Sequence, residues 1–509
     1  MKKQTVTAFT IAFGLIAVTL FATTGHTAPP LTEPDAKAIS LVRAALTLSN
    51  PTNPKTARIH AEGNMSLTNQ GINPQQSTRT QRVSADWKVD FQNRRFSQRS
   101  ANYLGKDLMW CTEIAVTREM TYQLFCHSNV FANYGPAKTD GGWFFRMDTT
   151  YPDPNWHLAH ALENSQSLHW EGETVLAGQR EDIISYSDEF KNHHRLFFNS
   201  ATHLLREVST EAQLTRFQEG FMPRIVFENY RRNGPYWSPG KVEIVQASWT
   251  IITSDLQSIR TDFDGALSAA DFTPPAGAIE VDQKSFDLHV SKVAASVYFV
   301  ENASADYNSM FVVFNDYILV VEAPISDSAS TKVISAIHET APGKPIRYIV
   351  PTHFHEDHIG GLRAYLREGA TVVTTPGNLR FMEMFMKRLK ATDPQVKLPA
   401  VEVIADKRRF TDGVVTLDLL NVSSPHVDEM VVPFIPSEGI VFVADGLTRD
   451  FGPWRRPTID ERTLVRQFKQ LGLNARMVLP GHGPVATQKD VEQYFLQVDS
   501  SSRNVTSER

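Results

Sequence analysis

Thr352-His353-Phe354-His355-Glu356-Asp357-His358-Ile359-Gly360-Gly361 is the stretch on which the reading of this chain turns. Three histidines and an aspartate crowd into residues 353–358, directly after the apolar run Ile346–Val350. That run reads as a strand, and a helix starts near Gly361, so the cluster sits on a strand-to-helix loop. At a strand end, alternate side chains turn to opposite sides of one small cavity. His353 and His355 can then hold one cation while Asp357 and His358 reach a second. Neutral imidazole and carboxylate are donor types that borderline divalent metals such as zinc accept. A chance cluster of surface histidines would not come with a strand, a Gly-Gly and a helix in this order.

Further along the chain, other candidate ligands follow apolar runs of their own. His426, in Ser424-Pro425-His426-Val427-Asp428, lies just beyond strand-like Val414–Val422. Ile440–Ala444 ends in Asp445-Gly446, and Met477–Leu479 leads into Pro480-Gly481-His482-Gly483-Pro484. α/β folds place their sites at such strand ends. Singly, an Asp-Gly is usually a turn and a lone histidine is usually structural; the set as a whole is what carries the reading. Before the motif come strand-like Val297–Val300, Met310–Phe314 and Tyr317–Val321 and helix-like Ser330–Thr340. This alternation of strands and helices predicts α/β layers.

Residues 286–490 resemble the metallo-β-lactamase superfamily, an αββα sandwich with its metals at one edge of the paired sheets. His353-x-His355-x-Asp357-His358 matches the superfamily signature at every ligand position, and His426, Asp445 and His482 follow in the expected order. The resemblance implies one metal on His353, His355 and His426 and another on Asp357, His358 and His482, with Asp445 bridging. It implies two zinc ions per chain, iron and manganese staying open. A water shared by two cations roughly 3.5–4 Å apart has its pKa lowered towards ~7. The hydroxide so formed would attack a carbonyl or phosphoryl centre, with Asp357 as the catalytic group that orients it or hands a proton to the leaving group. Where the superfamily usually ends an early strand in aspartate, this chain has Glu322, which can orient a ligand through its longer arm or be a plain surface residue.

Asp445 narrows the chemistry implied. Superfamily members that are true β-lactamases usually carry cysteine or serine there, whereas thioesterases, lactonases and phosphodiesterases carry the aspartate. His355 stands where oxygen-reducing members have glutamate. The favoured expectation is a hydrolase of an ester, thioester, lactone or related bond in a small-molecule substrate. A mononuclear iron oxygenase of the persulfide-dioxygenase kind, or a β-lactamase, is the alternative.

At 509 residues the chain exceeds one core. A β-rich half, 30–278, is expected before the metal domain, 284–500, with Pro274, Pro275 and Gly277 marking the linker. Short alternating runs recur at Arg58–Leu67, Val83–Phe91, Leu108–Val116, Met120–Cys126, Arg195–Phe198, Leu204–Val208, Ile225–Tyr230 and Val242–Ile252, with a short helix within Trp143–His160. The stretch Val226–Val242, together with the strand-like residues up to Ile252, loosely resembles the half-barrel of lipoprotein carriers, which implies a lipid-like or envelope ligand for this half. Its histidines, His157, His160, His169, His193, His194 and His203, lack ligand-like spacing and read as core or solvated residues.

Lys2, Lys3 and the apolar Ala8–Ala22, followed by small polar residues, read as a signal peptide spanning 1–28, cut near residues 22–28. The run is short for a membrane span, so a periplasmic or secreted protein is expected. In that setting Cys111 and Cys126, the only two cysteines, are expected to pair, which would contribute about 3 kcal/mol. A formal net charge of −5 with no basic stripe argues against a nucleic-acid partner. Asn378–Thr392 reads as an amphipathic helix that packs into a core rather than covering substrate. Arg449, Trp454 and Arg455, just after Asp445, are candidates for substrate contact, although solvated surface charge is the commoner outcome.

Overall fold

The computed structural model describes residues 35–492, apart from 50–54, 106, 127–128, 136–152, 177, 189–190, 212–222, 234–235, 247–248, 282–286, 305–306 and 448–457. The expected signal peptide and the three loop residues Arg449, Trp454 and Arg455 therefore lie outside the described residues.

Among the described residues, the N-terminal half holds a two-stranded ribbon, Arg231–Asn233 with Tyr236–Ser238, and a sheet of 14 strands. Near its middle β1 (Thr56–Asn73) and β2 (Gln76–Asp90) form a long antiparallel hairpin, and β1 pairs on its other side with Trp249–Phe263. The alternation that predicted strands is visible in β2, where Gln81, Val83, Ala85, Trp87 and Val89 are buried and the residues between them are not. Helices Ala36–Ser49 and Pro154–Glu163 pack together, burying Ala38, Val42, Ala45, Leu158 and Ala161 against Ile184, Leu196 and Phe198 of the sheet. The second helix starts at Asp153, whose carboxylate accepts from the Asn155 amide and so caps the first turn.

Two expectations shift here. The predicted strand Val242–Ile252 is instead two, Lys241–Gln246 and Trp249–Phe263, which pair antiparallel with each other. After Pro274, Pro275 and Gly277 the chain rejoins the first sheet, with Ile279–Val281 parallel to Val130–Gly135 at its edge. Cys111, on the strand Asp107–Val116, and Cys126, just after the neighbouring strand Thr121–Phe125, are joined by a disulfide with Cα atoms 5.4 Å apart. His157, His160 and His194 are buried core residues, His194 lying 3.1 Å from Asp188 and His160 3.0 Å from the Tyr186 hydroxyl.

The C-terminal half is a sandwich of a seven-stranded and a five-stranded sheet. In the larger sheet the antiparallel strands His289–Ala294, Val297–Ser304, Tyr307–Val313 and Ile318–Val321 are followed by the parallel strands Ile346–Val350, Thr371–Thr374 and Val401–Val403. Its side chains alternate between two cores: Met310, Val312, Leu319 and Val321 face the second sheet, while Phe311, Ile318 and Val320 face helix Asp327–Thr340. The smaller sheet runs Lys407–Thr411, Thr416–Val422, Met430–Ile435, Ile440–Phe442 and Met477–Leu479, and helix Ile459–Gln470 packs on it through Leu464, Val465 and Phe468. Helix, sheet, sheet, helix is the expected αββα order. Helix Pro376–Thr392 buries Met382, Met386 and Leu389 in the core, as its stripe predicts. Among the described residues no helix is long and apolar enough to cross a membrane.

Candidate metal centre

The seven predicted ligands converge at one end of the sandwich. His353 and His355 stand on the loop after Ile346–Val350, and Asp357 and His358 on the single helical turn Glu356–Ile359 next to it. His426 lies between Thr416–Val422 and Met430–Ile435, Asp445 in the turn Ala444–Gly446, and His482 just after Met477–Leu479. Gly360 and Gly361 explain why that loop can turn so tightly. A Cβ on Gly361 would lie 2.0 Å from Ser330 Oγ, and one on Gly360 2.1 Å from the Ile325 carbonyl oxygen. The backbone hydrogen bonds Ile325 N to Asp357 O and Gly361 N to Ala323 O depend on that close approach.

The ligand atoms form two groups that share one residue: His353, His355, His426 and Asp445, and Asp357, His358, Asp445 and His482, the atoms of each lying within 4.8 Å of one another. Asp445 offers a different oxygen to each group. Its Oδ1 is 2.9 Å from His358 Nε2 and 3.1 Å from His482 Nε2, while Oδ2 is 3.2 Å from His426 Nε2. His353 Nε2 and His426 Nε2 stand 3.3 Å apart. Asp357 Oδ2 is 3.4 Å from His358 Nε2 and 3.6 Å from His482 Nε2.

Whether a cation suits this arrangement can be judged from the donors themselves. His355 Nδ1, His358 Nε2 and Asp445 Oδ1 are buried and make no hydrogen bond, although the last two lie 2.9 Å apart. Burying polar atoms unpaired is costly, so three of them within the two ligand sets call for further partners. Burial, with His358 and His355 adding to it, pushes the His353 pKa well below its ordinary value; burial and then His426 pull His355 down to about 3. Both rings are therefore held neutral, the form that ligates. Burial opposes charge on His358, Asp357 and Asp445 as well, but mutual attraction outweighs it. Asp445, Asp357 and Glu322 lift His358 well above its ordinary value, and His358 helps to hold Asp357 and Asp445 well below the usual carboxylate range. Nitrogen and oxygen donors in two sets of four fit two divalent ions of the zinc type.

Supporting contacts surround the ligands. Glu322, at the end of Ile318–Val321, is buried, accepts from the Thr352 hydroxyl at 2.5 Å and places Oε2 3.2 Å from His358 Nδ1. It is therefore not the plain surface residue of the second reading. Thr352 Oγ1 also stands 3.0 Å from His353 Nδ1. Asn308, buried on Tyr307–Val313, donates to the carbonyls of Pro480 and Gly483, and so clasps the turn that carries His482; the Tyr307 ring meets His482 edge-on at 4.5 Å. Three residues of the N-terminal hairpin also reach the site: Gln70, Gly71 and Arg79. No sequence signal pointed to Asn308 or to the hairpin, because each pairs through a contact far away along the chain.

The sequence model of the Metallo-beta-lactamase superfamily matches residues 306–482. A "Metallo-beta-lactamase type 2" from Bacteroides fragilis is 24% identical over 245 residues, covering 43% of this chain and 90% of that protein. Among solved structures, a metallo-beta-lactamase from Pontibacter korlensis is 21% identical, covering 42% of this chain and 99% of its own, with a TM-score of 0.33. The stereoselective inverting sec-alkylsulfatase Pisa1 from Pseudomonas sp. is 16% identical, covering 42% of this chain and 41% of its own, with a TM-score of 0.32.

Proposed function

We propose that the protein, whose residues 306–482 match the model of the metallo-β-lactamase superfamily, is a dinuclear zinc hydrolase acting on an ester, thioester, lactone or related bond. The observation that carries this is the sharing of Asp445 between two ligand sets that between them hold three buried, unbonded donor atoms. His353, His355 and His426 would hold one ion and Asp357, His358 and His482 the other, with Asp445 between them. Bound there, a pair of divalent cations supplies Lewis-acid chemistry, acidifying a water and polarising the scissile carbonyl.

The protein's own groups do the rest. Asp357 has Oδ1 tied to Gln70 at 2.8 Å, so its orientation is set and Oδ2 is left facing the site. A carboxylate held in this way can orient the nucleophile or carry a proton to the leaving group. Buried His353 and His355 form the floor and keep bulk water from the reacting centre.

Metal analysis of the mature protein, paired with ester, thioester, lactone, phosphodiester and β-lactam substrates, tests this reading. About two zinc ions per chain with ester-type turnover is the expected result. One iron per chain would favour the oxygenase, and turnover of the β-lactam alone would favour a β-lactamase; either result sinks the proposal.

We further propose export from the cytoplasm. The Cys111–Cys126 disulfide supports it, since such bonds persist in oxidising compartments. Recovery of the full-length chain only from the cytoplasmic fraction would count against it. A lipid-like ligand for the N-terminal half would meet the pocket lined by Ile59, Trp87, Trp237, Leu256, Ile259 and Phe263. Titration with a fluorescent fatty acid checks this, and an absence of saturable binding removes it.

A further inference from the structure

The β1–β2 hairpin does more than close its own sheet. Its ladder runs regularly from Thr56↔Asp90 to Thr68↔Thr78 and resumes only at Asn73↔Gln76, so Asn69–Ile72 bulge out against the single residue Ser77. Asn69 takes the left-handed conformation that starts the bulge, with φ at +59°. Gly71 is pressed against the opposite strand, where a Cβ would lie 1.8 Å from the Gln76 carbonyl oxygen. Bulges re-aim the groups of a strand, and this one aims them at the metal centre. The Gly71 carbonyl accepts from His355 Nε2 at 2.7 Å, and the Gln70 side-chain amide donates to Asp357 Oδ1 at 2.8 Å. The tip is moored beside His426, with Asp428 N donating to the Ile72 carbonyl at 2.8 Å and Asn73 Nδ2 donating to Asp428 Oδ2 at 2.6 Å.

The donor chemistry separates helpful contacts from incidental ones. A neutral imidazole has one N–H. With Nε2–H given to Gly71, His355 presents the bare Nδ1, which is the buried atom that makes no hydrogen bond. Gln70 occupies one oxygen of Asp357 and leaves the other for His358 and His482. Arg79 differs. Its Nη1 is 3.2 Å from His426 Nδ1, but His426 turns Nε2 inward, so a ligating ring carries its proton on Nδ1 and opposes the guanidinium with a second donor. Arg79 therefore belongs with Asp460, 3.7 Å away, and not to the clamp.

We propose that Gln70 and Gly71 are positioning residues of the metal centre, so that the N-terminal half completes a site whose ligands all lie in the C-terminal half. Gly71 fixes which nitrogen His355 presents, and Gln70 fixes which oxygen Asp357 presents. This rests on the reading of the seven residues as metal ligands. Outer hydrogen-bond partners of this kind typically change metal affinity about 10–100-fold.

The test uses the full chain, stripped of metal and titrated with zinc against a chromophoric chelator, and with cobalt(II) followed by its visible absorption. Gln70→Ala and Gly71→Ala are compared with the unaltered protein and with Ser66→Ala, a change on the same strand away from the site. Both tip variants are expected to bind at least one ion about 10–100-fold more weakly and to show an altered cobalt spectrum, while Ser66→Ala behaves as the parent. Should Gly71→Ala fail to fold, judged by its melting curve without metal, Gln70→Ala decides. Parent-like zinc affinity and cobalt spectrum in the tip variants overturn the positioning role alone, whereas a parent chain that binds no metal overturns the ligand assignment and this proposal with it.

Discussion

Glu322 holds His358 from behind: its Oε2 lies 3.2 Å from His358 Nδ1, and its backbone is held at φ +76° in the left-handed region. A β-carbon-bearing residue pays roughly 1–2 kcal/mol to sit there, and such strain is typically found where the surroundings dictate a residue's place. The carboxylate faces Nδ1 of the His358 ring, whose Nε2 turns to the second ligand set. Glu322→Gln keeps the shape and removes the charge. Zinc affinity measured by chelator competition should fall about 10–100-fold, with the loss confined to one of two ions.

Asp445→Asn tests the shared ligand. It keeps the shape but removes the charge and replaces one of the two oxygens with an NH2 group that cannot ligate. At least one zinc per chain should be lost on gel filtration, as read by elemental analysis, together with nearly all turnover. Retention of both ions would show that the site does not use Asp445 as a bridge.

Asn308→Ala leaves the buried Pro480 and Gly483 carbonyls without their donor. Buried acceptors stripped of a partner cost about 1–3 kcal/mol. Chemical denaturation should show a loss in that range, and kcat should fall too, because the turn carrying His482 is no longer clasped.

Chelation should abolish activity and lower the melting temperature, and added zinc should restore both, since a ligand of the folded state alone stabilises by mass action. A melting curve indifferent to chelator would contradict the ligand set.

Acid stability should show the Asp271 carboxylate. Burial opposes its charge, yet the Ser268 amide, Lys88 and Arg58 hold its pKa at about 2. A depressed folded-state pKa stabilises above the unfolded value near 4 and loses that gain as pH falls towards 2. Arg58 is open to solvent, so screening cuts the contribution to about 1 kcal/mol. Denaturation midpoints of the parent and Asp271→Asn should differ at pH 6 and converge near pH 2.

What could be read from the chain alone tracks how local each signal is. His353 to His358 lie within six residues, and each later candidate ligand follows an apolar strand, so the motif and the resemblance it carries foretold that these side chains converge. Ile346–Val350 and Met477–Leu479 are strands of the expected length. The β-rich half was legible as strands, but one boundary was missed, because Val242–Ile252 reads as an unbroken β-rich run and spans parts of two strands. Gln70 and Gly71 were illegible. Their partners are more than 280 residues away, and a bulge leaves no periodic mark.

Both ligand sets draw on both layers of the sandwich. In the first, His353 and His355 follow a strand of the seven-stranded sheet, and His426 and Asp445 follow strands of the five-stranded one. In the second, Asp357 and His358 face Asp445 and His482 in the same way. A cation seated in either set is thus a rivet through two plates. Neither sheet alone presents every member of either set, so metal uptake there would report that the chain has finished assembling.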